Sequence, residues 1–236
     1  MRLPSTDPDF VSPGDVASQK DWDATVTEWL AGLFLMPLSS DAIASYRSGL
    51  GAILLDELEQ RADCRDGVMR MRSALGGLQS VPALTRKVGT AFATLFEGAG
   101  GPRTVSPFES AHVGPGGRLF QVAAVDMERL LREAGLTMIR NVGEPADHLS
   151  IELALLARQL RDPSHQGAAS FLDRRLLTWV PGFVDQVRTA DHTGFYAGAG
   201  LLLEGFLEAL RSAMAAAHGV QALVPTSIEQ MGRMRA

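Results

Sequence analysis

Apolar residues recur along this chain at three- and four-residue spacing, and no stretch sustains the two-residue alternation of a half-buried strand. That feature restricts the fold to packed helices. Residues 21–36 place Trp22, Val26, Trp29, Leu30 and Leu33 on one helical face, and Pro37 ends the run. Ser39 or Ser40 is placed to cap a short helix that stops at Gly49. Two more helices read over 53–62 and 67–75, and Ser80 with Pro82 opens one running through Leu84, Val88, Phe92 and Leu95 to Gly98. Helical spacing resumes over 118–134, 145–161 and 166–178; Pro181 is placed to open another helix, and 195–218 forms the last long one. The expected fold is all-α, a single domain of about ten helices.

Residues 98–117 contain six glycines and three prolines, so no continuous helix crosses them. They divide a helical domain over 20–222 into an N-terminal half (20–97) and a C-terminal half (118–222) joined by a hinge loop. Residues 1–19 read as a mobile, turn-rich arm without a signal-peptide core, and 223–236 as a weakly patterned tail. The longest apolar stretch, Trp29 to Leu38, falls well short of the ~20 residues of a membrane span, so the protein is expected in the cytoplasm. The single Cys64 excludes a disulfide framework and a multi-Cys metal site. A formal charge of -5 argues against nucleic-acid binding. Of 22 basic residues only Lys20 and Lys87 are lysines, which reads as codon usage.

Three clusters carry most of the polar chemistry. Residues 143–153 (GEPADHLSIEL) place Glu144, His148 and Glu152 four apart on one helical face, where flanking carboxylates are expected to favour a charged imidazole. The spacing suits a solvated helix start, a polar binding patch or, with Asp147, a metal site. Residues 106–112 (SPFESAH) hold an aromatic and a carboxylate within the Gly/Pro-rich segment, without a nucleophile elbow or a phosphate-loop ending. Residues 171–183 (FLDRRLLTWVPGF) read as a helix–turn–helix corner, with Trp179 and Phe183 four apart across Pro181.

The order of these clusters resembles the TorD/DmsD/NarJ family of cytoplasmic chaperones for molybdenum enzymes. A Leu-Phe-x-Gly helix end (Leu95, Phe96, Gly98) precedes Pro-x-x-Ser at Pro107 to Ser110. Then come Glu-Pro-x-Asp-His-Leu-x-x-Glu-Leu from Glu144, Phe-Leu-x-x-x-Leu-x-x-Trp-x-Pro-x-Phe from Phe171, and Phe195-Tyr196 opening the final helix. The resemblance spans roughly 20–218 and is strongest over 92–210. It implies a non-enzymatic, all-helical chaperone that binds the twin-arginine signal peptide or the body of an apo-molybdoenzyme catalytic subunit of the dimethyl sulfoxide reductase type. Such a chaperone assists molybdopterin insertion and delays export (proofreading). It further implies that Pro107, Phe108, Glu109, Ser110, Glu144, Asp147 and His148 lie in a peptide-binding groove, that guanine nucleotide binds weakly if at all, and that the protein is a monomer or a domain-swapped homodimer. No metal or other cofactor is implied. Where the family often has Ser-Val-Tyr or Ser-Val-Trp, this chain has Ser110-Ala111-His112, so Phe108 is the stronger candidate contact. A twin-arginine peptide needs carboxylates beside an apolar groove, and Glu109, Glu144, Asp147 and Glu152 offer the charge. Beside this reading stand a metal-dependent hydrolase centred on Asp147, His148 and Glu152, and a ligand-sensing helical regulator.

Overall fold

A computed structural model describes residues 13–113, 122–136, 145–162 and 167–223. Among them the chain is all-α, and its one extended pairing is an isolated antiparallel bridge between Phe108 and His148. The N-terminal half comprises α1 (Pro13–Leu35), α2 (Ser40–Ser48), α3 (Leu50–Glu59), α4 (Ala62–Leu75) and α5 (Val81–Phe96). A 3-10 turn (Gly101–Arg103) and the four-residue α6 (Ser110–Val113) follow within the Gly/Pro-rich loop. The C-terminal half holds α7 (Val122–Glu133), α8 (Leu149–Arg161), α9 (Gly167–Phe171), a π-helical turn (Leu172–Leu176), α10 (Leu177–Ala190) and α11 (Phe195–Leu223).

The expected punctuation operates where it is local. Ser39 Oγ accepts the Ala42 N–H at 3.2 Å and so caps α2. Pro82 sits in the first turn of α5, and Gly98 beyond its end adopts φ +80°. Other boundaries shift. Helix α1 starts at Pro13, inside the stretch expected to be an arm. Helix α8 starts at Leu149 rather than at Pro145, so Pro145–His148 stays extended or turned. Pro181 does not open a helix: it lies inside α10, and the expected corner is continuous helix. Its missing N–H forfeits a backbone bond, but Trp179, Val180, Phe183, Val184 and Val187 are all buried around it, and that burial outweighs the break. Residues 1–12, 118–121, Glu144 and the tail from 224 lie outside the described residues.

The two halves share one core. Helix α1 packs on α8 and α4 on α11, so each main interface joins one half to the other. The α4–α11 contact is close because it lacks side chains: a Cβ on Gly205 would lie 1.8 Å from the Asp63 carbonyl oxygen, and one on Gly67 2.4 Å from the Leu202 nitrogen. Aromatic rings continue the core across the halves, with Phe34 5.7 Å from Phe183 and Phe96 5.3 Å from Tyr196. No helix among the described residues is long and apolar enough to cross a membrane.

Candidate functional site

The loop does not swing free after Gly98. Its Pro107 carbonyl accepts the Leu149 N–H at 2.8 Å, and its Glu109 N–H donates to the Asp147 carbonyl at 3.0 Å. The Asp147 carboxylate, fully buried, accepts the Ser110 N–H at 2.8 Å and so anchors the start of α6. Two of the sequence clusters therefore meet as a short paired segment, Phe108 opposite His148.

His148 is the N-cap of α8: its Nδ1 accepts the Ser150 N–H at 3.1 Å. Ser150 Oγ in turn donates to the Ala31 carbonyl at 2.7 Å, tying the cap to α1. The imidazole meets the Phe108 ring edge-on, with centroids 4.9 Å apart. Burial pushes its pKa down to about 4, against a smaller opposing pull from Asp147. The expected cationic imidazole is thus overturned. His148 is neutral because the helix start needs an acceptor there and water is excluded.

Glu152 leads to a residue that the sequence reading did not single out. Arg175 Nε donates to Glu152 Oε1 at 3.0 Å, and Arg175 also pairs with Glu109. Its Nη2 donates to the Ala123 carbonyl at 2.6 Å, and Trp179 Nε1 donates to Glu152 Oε2 at 3.1 Å. One guanidinium therefore joins the loop, α7, α8 and the π-helical turn. Burial raises the Glu152 pKa well above the ordinary carboxylate value, opposed by Arg175 and reinforced by Glu109. Burial likewise raises Glu109, with Arg175 again opposing. Two buried carboxyls thus share one cation, and burial shifts the titration of the pair upward. The sequence signal was an arginine pair inside an apolar run, between Leu172 and Leu176. The π-helical turn, which departs from regular helical spacing, is invisible to that pattern.

Of the residues implied for peptide binding, Pro107, Glu109, Ser110, Asp147 and His148 are buried and Phe108 is half-buried; Glu144 lies outside the described residues. His112 takes the place of the family's aromatic side chain. Its ring stacks on Trp179 with centroids 5.1 Å apart, and its Nε2–H donates to the Ser106 carbonyl at 2.7 Å. A cavity of about 600 Å³ opens beside this network, lined by Glu109, Arg175, Gln159, Ser170, Phe171 and Leu130 among others. The Gln159 side chain at its wall is buried, and its Oε1 has no hydrogen-bond partner among the described residues. The metal-hydrolase reading finds its donors spent: both Glu152 oxygens and the His148 Nδ1 are engaged within the chain. No group of three or more His, Cys, Asp or Glu side chains is arranged to hold a metal among the described residues.

Comparison with known proteins agrees with this architecture. A family model described as nitrate reductase delta subunit matches residues 58–185, more than half of the chain. The chaperone protein TorD of Ferrimonas balearica is 30% identical over 188 residues, covering 78% of this chain and 86% of that protein. TorD of Vibrio parahaemolyticus is 27% identical over 194 residues, covering 78% and 90%. TorD of Photobacterium profundum is 25% identical over 197 residues, with the same coverage. The all-helical fold and the pairing of the loop with the α8 motif accord with these matches, and the chain belongs to the TorD/DmsD/NarJ family of molybdoenzyme-maturation chaperones and is not an enzyme.

Proposed function

We propose that this chaperone binds the twin-arginine signal peptide, or the body, of an apo-molybdoenzyme catalytic subunit of the dimethyl sulfoxide reductase type. It acts in the cytoplasm, assists insertion of the molybdopterin cofactor and delays export until the client is mature. Family membership over most of the chain carries this reading. The cavity beside Glu109 supports a location for the peptide: a carboxylate, an amide oxygen (Gln159) without a partner among the described residues, and apolar walls of Phe171 and Leu130 suit a guanidinium followed by an apolar segment.

In this reading the seven residues carried over from the family divide by role. Phe108 and Glu109 contact the peptide. Pro107, Ser110, Asp147 and His148 hold the loop in place through their bonds to α8 and to its preceding segment. Glu144 lies on the approach to that segment in sequence and completes the acidic character of the motif. Arg175 already neutralises part of the charge at Glu109 and Glu152, so a peptide arginine adds to a paired system rather than meeting free carboxylates.

Calorimetry with a peptide bearing Arg-Arg and an apolar run tests this. The expected result is micromolar or tighter binding that an Arg-to-Ala peptide loses. Equal affinity for both peptides removes arginine recognition and leaves the client's body as the contact.

A further inference from the structure

Gln159 sits on the wall of the cavity beside Glu109 with a hydrogen-bonding capacity that the fold does not use. Its side chain belongs to a residue only 8% exposed, and its Oε1 has no hydrogen-bond partner among the described residues. A buried acceptor left unpaired costs free energy that an apolar residue of the same shape would not. Helix α8 does not need this amide. Its end is closed by the Asp162 N–H, which donates to the Gln159 backbone carbonyl at 3.3 Å, and its core face is supplied by Leu153, Leu156 and Leu160.

Helical spacing sets where the amide lies. Glu152 and Gln159 are seven residues apart on α8, so they share a face and stand about 10 Å apart along the axis. Glu152 meets Arg175 and, through it, Glu109 at one end of the cavity. Gln159 lies two turns further on, where α8 packs on α9, and the exposed Ser170 and the Phe171 ring of α9 line the same wall. The arginines of the cavity leave the amide open. Arg175 donates to Glu152 and to the Ala123 carbonyl, and Arg129 pairs with Glu133 at 2.7 Å. Charge alone does not define this end either, because Glu109, Asp126 and Glu133 on the walls are matched in number by Arg129, Arg174 and Arg175.

We infer that Gln159 and Ser170 form a second, neutral subsite in this cavity, which takes one guanidinium of a client peptide while Glu109 faces the other. The inference rests on the peptide reading above and divides its site in two. A guanidinium carries five N–H donors in a planar fork, so it bonds to amide and hydroxyl oxygens without a free carboxylate. Its flat face packs on an aromatic ring, and Phe171 supplies one on the same wall. Successive side chains of an extended segment point to opposite sides, so two neighbouring arginines reach separate positions. Two subsites about two helical turns apart suit that geometry, and a cavity of about 600 Å³ has room for both.

Calorimetry on the full chain with four peptides is the test. Each carries the same apolar run after Arg-Arg, Arg-Ala, Ala-Arg or Ala-Ala. Gln159→Met keeps the length of the side chain without its amide and is expected to weaken Arg-Arg binding by about tenfold. It should weaken one single-arginine peptide by a similar factor and leave the other within about twofold. Glu109→Gln should show the reverse preference between those two peptides. The urea midpoint of Gln159→Met should equal or exceed that of the parent chain, since the substitution removes an unpaired buried acceptor. An Arg-Arg preference that Gln159→Met leaves intact overturns the second subsite and spares the peptide reading. A defect equal for all four peptides does the same, as do both variants acting on the same arginine. A lowered urea midpoint makes Gln159 a structural residue and also overturns the subsite. Equal binding of Arg-Arg and Ala-Ala by the parent chain removes arginine recognition itself, and the subsite with it.

Discussion

The imidazole of His148 is buried, accepts the Ser150 N–H and rests against Phe108, so it takes up a proton only near pH 4. In the unfolded chain it does so near its ordinary value of 6.5. Between those values the unfolded state binds a proton that the native state refuses, so stability falls as pH drops through this window, by up to about 3 kcal/mol. Glu109 and Glu152 act with the opposite sign. Their raised pKa values give a contribution that is present at low pH and lost as pH rises through the folded-state values. His148→Asn keeps a capping acceptor and removes the titration, so urea midpoints measured from pH 4 to 7 should flatten on the acid side only. At Arg175 the expected cost is larger. Arg175→Met leaves two buried carboxyls without their cation and should lower unfolding free energy by about 3–5 kcal/mol. Adding Glu152→Gln should recover part of that loss, because it removes one of the stranded acids.

The loop and α8 motifs were legible as neighbours because family order set them in sequence, but their relation was not. Helical spacing over 145–161 would put Asp147 in the first turn of α8; it precedes the helix and anchors α6 instead. That distinction depends on backbone direction, which residue type does not encode when Pro145 suits either a first helical turn or an extended lead-in. Arg175 was missed for a related reason: a π-helical turn alters the side-chain register, and regular-helix counting then misplaces an inward residue. Most helices, by contrast, were readable from spacing and punctuation, since Ser39, Gly49, Pro82 and Gly98 act through local backbone geometry. Two glycines separate local from tertiary effects. Gly182 is exposed in α10 with open space where a Cβ would be, so Gly182→Ala should stabilise by about 0.5–1 kcal/mol. Gly205→Ala meets the Asp63 carbonyl and should cost about 1–3 kcal/mol or more in the same denaturation assay.

Across the whole molecule the halves named from the Gly/Pro-rich loop are halves of sequence, not of core. Helix α11 lies on α4 and α1 on α8, and the aromatic cluster draws on both. Unfolding should therefore be a single cooperative event, with circular dichroism and tryptophan fluorescence giving the same urea midpoint. Residues 20–97 expressed alone should show no such transition, because the faces of α1 and α4 would lie bare.

The glycine seam between α4 and α11 also bears on how two copies of this chain would exchange halves. The swapped product would keep every interhelical contact, so monomer and dimer differ little in free energy apart from the strain in the loop and the concentration. The route between them is another matter, since both the α4–α11 and α1–α8 interfaces must part before either re-forms with a neighbour. Interconversion is then about as slow as global unfolding, and the proportion of exchanged molecules records the concentration at which the chains first folded.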